Sequence, residues 1–246
     1  SEALDDAQMS MERIDAIVVS AVDNESNGER QRLFTSVLSS MLKRKVPVIN
    51  APAVCGGGGA SLWTANKLDY NNILVVGVEK LLSNTSMKIT DEILMAAERI
   101  YEQAEGLNFP AQNALVAQQY MLKYKATLED LGKVAFKNHQ NAKLNPKARF
   151  YKKDVTMKQI MKSPVVASPL RLFDCSLSVN GAAAAIISKE KSDIEIVGSA
   201  LYSDRLPAFE SDDMTTWTAT ILSAKEAYSQ AGIGPSDLSI AEVHDA

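Results

Sequence analysis

The sequence predicts an α/β fold whose first half is split by a helical insertion. Three observations carry that expectation. Short β-branched runs alternate with segments of helical period from the start to about Glu79. Between Lys80 and about Ser168 the pattern turns helical and lysine-rich, and short apolar, sheet-like runs resume at Asn180.

Taken in order, IDAIVVS (Ile14 to Ser20) reads as a buried strand, GERQRLFTSVLSSMLKR (Gly28 to Arg44) as an amphipathic helix and VPVINA (Val46 to Ala51) as the next strand. A further helix follows the glycines of VCGGGG. NILVVGVE (Asn72 to Glu79) is so rich in Val and Ile that it reads as a strand covered on both faces. That rhythm implies a parallel sheet with helical crossovers. DEILMAAERIYEQA and AQNALVAQQYMLKY predict helices in the insertion, ahead of a lysine-rich stretch with Pro146 and Pro164. NGAAAAIIS (Asn180 to Ser188) and IEIVGSALYS (Ile194 to Ser203) read as strands again, the alanines allowing close approach to a helix. The expected organisation is residues 1–79 with 169–190 as one half, 80–168 as the insertion, and 191–246 as the start of a second half.

An ungapped internal match accompanies this division. EALDDAQMSMERIDAIVV, from Glu2, lines up with EAYSQAGIGPSDLSIAEV, from Glu226, at a constant offset of 224; Glu2/Glu226, Ala3/Ala227 and Ala7/Ala231 are identical. Both read as a helix end, a turn and a strand. Chance likeness of two such units and duplication both account for it. Under duplication the second copy stops early, and the chain opens inside a helix, so a piece is expected to be missing at both ends.

Composition narrows the function. The 246 residues are 46% hydrophobic and 23% charged with a net charge of −4, an ordinary globular balance. No Lys/Arg run is interleaved with aromatics, which argues against nucleic acid or a membrane surface as the partner. The longest apolar runs are short and no basic-then-apolar leader opens the chain, so neither a membrane span nor a signal peptide is expected and the default location is the cytoplasm. Two cysteines, Cys55 and Cys175, and two histidines, His139 and His244, are too few for a disulfide framework or an imidazole metal centre; both cysteines are expected to be free and no metal or cofactor is called for.

Cys55 follows a strand and opens a helix, where unpaired N–H groups and the helix dipole favour a thiolate. The glycines after it, Gly56 and Gly57 first, let an acyl group reach the sulfur and the main-chain donors of an oxyanion site. Against this, a free Cys is commonly a small buried hydrophobe, and glycine runs often mark only a tight turn. An acid–base partner among the histidines can only be His139 or His244. His244, in EVHDA, sits just past an expected strand, where strand ends converge on a crevice that Cys55 could share. His139, in KNHQNAKLNPKARF, reads either as a hydrogen-bonded histidine of a polar helix or as a substrate-binding group. Cys175 reads as structural.

At these residues the chain resembles the thiolase family, specifically the archaeal and bacterial acetyl-CoA acetyltransferases similar to the thiolase domain of sterol-carrier-protein thiolases. VCGGGGASLWTA looks like the nucleophile loop, GLNFPAQNALVAQQYM and NHQNAKLNPKARF like the loop domain, DCSLSVNGAAAAII like the end of the first half, and EVHDA like the start of a His-Asp-Ala/Cys-Phe motif. The resemblance implies the thiolase fold, two βαβαβαββ halves in an αβαβα sandwich with an inserted helical loop domain, the second half incomplete here.

It also implies a mechanism. Cys55 would take an acyl group from acyl-CoA as a thioester, and the enolate of a second acetyl-CoA would attack it to give acetoacetyl-CoA and CoA; the reverse is thiolysis. His244 would stabilise the enolate, the Cys55 N–H would serve a second oxyanion site, and Gly56, Gly57 and His139 would bind substrate. Coenzyme A thioesters are substrates, not cofactors. The family's Gly-His-Pro histidine and Cys-x-Gly cysteine fall beyond this sequence, so the chain as it stands is not expected to turn over. Cys-Gly-Gly-Gly-Gly also departs from the commoner Cys-Ala-Ser-Gly. Two alternatives stay open: a ketoacyl synthase acting on malonyl thioesters, and a non-catalytic thiolase-fold subunit. Implied partners are a second copy, as homodimer or tetramer, and hydroxymethylglutaryl-CoA synthase with an OB-fold scaffold protein on the route to mevalonate.

Overall fold

Ile17, Val18 and Val19 are fully buried and β-branched, which is why the first apolar run becomes a strand with both faces covered. In the computed structural model, which describes residues 2–22, 31–83, 85–206 and 210–244, this strand is β1 (Ala16–Ser20). It lies between β2 (Val48–Asn50) and β3 (Asn72–Lys80) and is parallel to both, with Ile17 beside Val48 and Leu74. α2 (Phe34–Leu42) joins β1 to β2, and α3 (Gly57–Lys67) joins β2 to β3. The first three residues of the expected Gly28 to Arg44 helix lie outside the described residues.

Alternation along these strands builds two cores. Ala16, Val18, Ile73 and Val75 pack with Ala65 of α3 on one face. Ile17 and Leu74 pack on the other with Ile14, with Leu4 of α1 (Glu2–Asp6) and with Leu38 and Leu42 of α2. Each fully buried Ile or Val contributes about 1.5–3 kcal/mol.

The sheet is mixed rather than wholly parallel. β6 (Asn180–Ser188) pairs antiparallel with β3 along its whole length, from Asn72 beside Ser188 to Lys80 beside Asn180. The long connection between the two strands frees β6 from the crossover rule that makes β1, β2 and β3 parallel. Ile194 to Ser203, expected as a strand, has extended chain but no ladder; the Ser199 N–H bonds instead to the side chain of Gln230. The residues before His244 likewise form no strand.

The chain divides into two compact units, Ser1–Ala96 with Ser178–Asp204 and Thr218–Ala241, and Ala97–Leu177 with Arg205–Trp217 and Glu242–Ala246. In the first, α4 (Ser86–Leu94) follows β3. The single helix expected over DEILMAAERIYEQA breaks after Leu94, and a separate π turn runs over Arg99–Gln103. Glu98 causes the restart: its carboxylate accepts from the amides of Ile100 and Tyr101 and so caps a new turn.

The second unit is helical, as expected. α5 (Phe109–Tyr124) starts on Asn108, which accepts from the Ala111 amide; α6 (Leu128–Ala142) and α7 (Met157–Lys162) start on capping boxes, Thr127 with Asp130 and Thr156 with Gln159. β4 (Val165–Ala167) and β5 (Leu170–Arg171) form a small hairpin. Ala135, Val155 and Ile160 make the core with Phe136, Phe150 and Phe173.

The segments matched at an offset of 224 share a backbone pattern. Met9 N–H bonds to the Leu4 carbonyl and Ile233 N–H to that of Tyr228; Ile14 bonds to Met11 and Leu238 to Pro235. Gln8 and Gly232, also 224 apart, both have positive φ, 49° and 69°, and end α1 and α8 (Thr218–Ala231).

Candidate active site

The chain leaves β2, bonds the Ala51 N–H to the Val19 carbonyl, and turns sharply into a single 3₁₀ turn, Val54–Gly56, that runs on into α3. Cys55 is the middle residue of that turn, and it is exposed. Val54 before it has φ of 44°, in the left-handed region that a β-branched residue adopts only when the surroundings force it. The elbow thrusts the thiol outward. Gly56 is the N-cap of α3 and has no side chain to cap the first-turn amides, while the Gly57 N–H bonds back to the Val54 carbonyl.

The glycines differ in what they do. Gly57 is buried, and a β-carbon there would stand 1.9 Å from the Ser20 hydroxyl, so it sets how closely α3 sits on the end of β1. Gly56, Gly58 and Gly59 are exposed, and a β-carbon on any of them would meet nothing within 4 Å.

Behind the elbow is a cleft of about 130 Å³ lined by Val22, Val54, Leu81, Glu92, Ile93, Met95 and Ala96. Glu92, on α4, has a side chain only 7% exposed, and neither carboxylate oxygen has a hydrogen-bond partner; Lys88 Nζ lies 3.7 Å from Oε1. Sequence reading missed Glu92, because a glutamate in DEILMAAE looks like part of a helix's solvent face. It missed Val54 as well, since valine carries no signal for positive φ.

The two histidines belong to the second unit, and Cys55 to the first. His244 is exposed in irregular chain, and Asp245 lies outside the described residues. His139, in the last turn of α6, is half-buried with its ring edge-on to Phe150 and Phe173, at centroid distances of 4.4 and 5.2 Å. Burial pushes its pKa down and favours the neutral imidazole. Cys175 is half-buried, its thiol pushed up by burial and then by the Asp174 carboxylate, which suits an inert sulfur.

Among known proteins, the family model "Thiolase, N-terminal domain" matches residues 1–191. The chain is 32% identical over 254 residues to an acetyl-CoA acetyltransferase of Methanothermobacter thermautotrophicus, covering 99% of this chain and 66% of that protein. It is 34% identical over 213 residues to an acetyl-CoA acetyltransferase of Methanocaldococcus jannaschii, covering 81% and 54%. A solved structure described as "Ltp2-ChsH2(DUF35) aldolase" superposes with a TM-score of 0.71 at 22% identity, over 96% of this chain and 63% of that one. The chain thus spans between about half and two thirds of the length of these relatives. With a family model covering most of its length, and an acetyltransferase relative aligned along nearly all of it, the chain belongs to the thiolase family.

Proposed function

We propose that the protein is a thiolase acting through a thioester on Cys55. The observation that carries the reading is the exposed thiol on a positive-φ elbow at the start of a helix whose N-cap is glycine. The sulfur attacks the carbonyl carbon of an acyl-CoA, the bond from that carbon to the CoA sulfur breaks, and CoA leaves with the proton that Cys55 gave up. A second acetyl-CoA, as its enolate, then takes the acyl group to give acetoacetyl-CoA. The amides around Gly56 and Gly57 bind the thioester oxygen, His244 stabilises the enolate, and His139, held in its aromatic setting, helps shape the substrate site. The assignment to condensation of two acetyl-CoA rests on similarity to the archaeal acetyltransferases.

The same reading proposes a homodimer or tetramer in the cytoplasm, working with hydroxymethylglutaryl-CoA synthase and an OB-fold scaffold in mevalonate supply. The test is direct. Incubation with acetyl-CoA should add one acetyl group, located on Cys55 by peptide mass mapping and absent from Cys55→Ala. A folded protein that forms no adduct would favour a non-catalytic subunit, and an acyl group gained from malonyl-CoA with loss of CO₂ would favour a ketoacyl synthase.

A further inference from the structure

All three parallel strands end at the cleft behind Cys55. Val22 lies just past β1, Leu81 just past β3, and Val54 on the elbow that follows β2. Ligands of α/β sheets bind at this carboxyl edge. The walls are apolar except for Glu92, whose two oxygens accept no hydrogen bond while being almost wholly removed from water. A buried acceptor left without donors is costly, so a ligand that brings a donor is strongly preferred over one that does not. The Lys88 ammonium, 3.7 Å away and half in solvent, already balances the charge without hydrogen-bonding distance being reached, which favours a neutral donor over a second cation. At about 30 Å³ for each water-sized atom, a cleft of about 130 Å³ holds about four non-hydrogen atoms.

Resting on the reading of Cys55 as the acyl carrier, we propose that this cleft is the acyl-chain pocket and that it takes short acyl groups ending in a hydroxyl, which donates to Glu92. The acyl group arrives by the transfer already described: the carbonyl carbon gains a bond to Cys55 Sγ and loses its bond to the CoA sulfur.

The experiment compares acylation of Cys55 by 3-hydroxypropionyl-CoA, by butyryl-CoA, which has the same shape with a methyl in place of the hydroxyl, and by acetyl-CoA, followed by intact-protein mass. In the wild-type protein the hydroxylated thioester should react about tenfold faster or more at subsaturating concentration, the size expected of a hydrogen bond to a charged group. Glu92→Leu should reverse that preference while leaving acetyl transfer in place. Glu92→Gln, which keeps the shape and one acceptor oxygen, should retain part of it, and it decides the matter should the leucine variant not fold. Equal rates for the two isosteres in the wild-type protein would overturn the pocket, and continued acetylation would leave the Cys55 reading standing. Acylation by none of the three would remove both.

Discussion

The β-carbon that Gly57 lacks would overlap the hydroxyl oxygen of Ser20, at 1.9 Å, and crowd its β-carbon, at 3.1 Å. The helix behind the nucleophile is therefore docked on β1 through a contact that only glycine permits. Gly57→Ala should cost about 1–3 kcal/mol of stability, the usual range for overpacking, measured by urea denaturation. Combining it with Ser20→Gly should recover most of the loss, a coupling that independent sites would not show. Gly58→Ala and Gly59→Ala meet open space in an exposed first turn and should instead stabilise the chain by up to about 1 kcal/mol each.

The two thiols should separate by reactivity. Cys55 is exposed, whereas Cys175 is half-buried and its thiol is held above the ordinary range by burial and by Asp174. Iodoacetamide at pH 7.5 should modify Cys55 first, leaving Cys175 until the pH is raised or the protein unfolds. Peptide mapping of a time course checks this, and equal labelling of the two would contradict the burial of Cys175.

How far the sequence spoke depends on whether the determining contacts were local. β1, β3 and α3 were legible because Val and Ile runs, and the glycine break before a helix, are local signals. The direction of β6 was not, because it is set by pairing with β3 across more than a hundred residues. Ile194 to Ser203 has strand composition but no ladder partner among the described residues. Cys55 could be singled out from its glycine neighbours, yet the strained φ of Val54 contradicts valine's own preference and comes only from the geometry of the turn. His139 looked like part of a polar helix; its aromatic neighbours Phe150 and Phe173 are distant in sequence.

That aromatic setting gives the second unit a pH dependence. Burial lowers the His139 pKa below its unfolded value of about 6.5, so the folded state prefers the neutral ring. The preference stabilises fully above the unfolded value and is lost as pH falls from there toward the folded value. Asp130, held down to about 2 chiefly by Thr127 and then by Lys133, keeps its contribution until far lower pH, so the two windows do not overlap. The urea midpoint of the wild-type protein should fall between pH 7.5 and 5.5, and the fall should shrink in His139→Gln. A proton NMR titration placing His139 above its unfolded value would refute the argument.

Val54 should trade stability against chemistry. Holding a β-branched residue at φ of 44° costs on the order of 1–3 kcal/mol, a strain that the rest of the fold sustains at the residue before the nucleophile. Val54→Gly relieves it, and since glycine loses more backbone entropy on folding, by roughly 0.5–1 kcal/mol, the net gain in stability should be at most about 2 kcal/mol. The same change frees the turn that aims Cys55 outward and removes an apolar wall from the cleft holding Glu92. Acyl transfer to Cys55 should then slow even as the urea midpoint rises. Val54→Ala, which keeps a β-carbon and so most of the strain, should slow transfer less. If Val54→Gly instead both destabilised the protein and left the acylation rate unchanged, the elbow would be neither strained nor an aiming device.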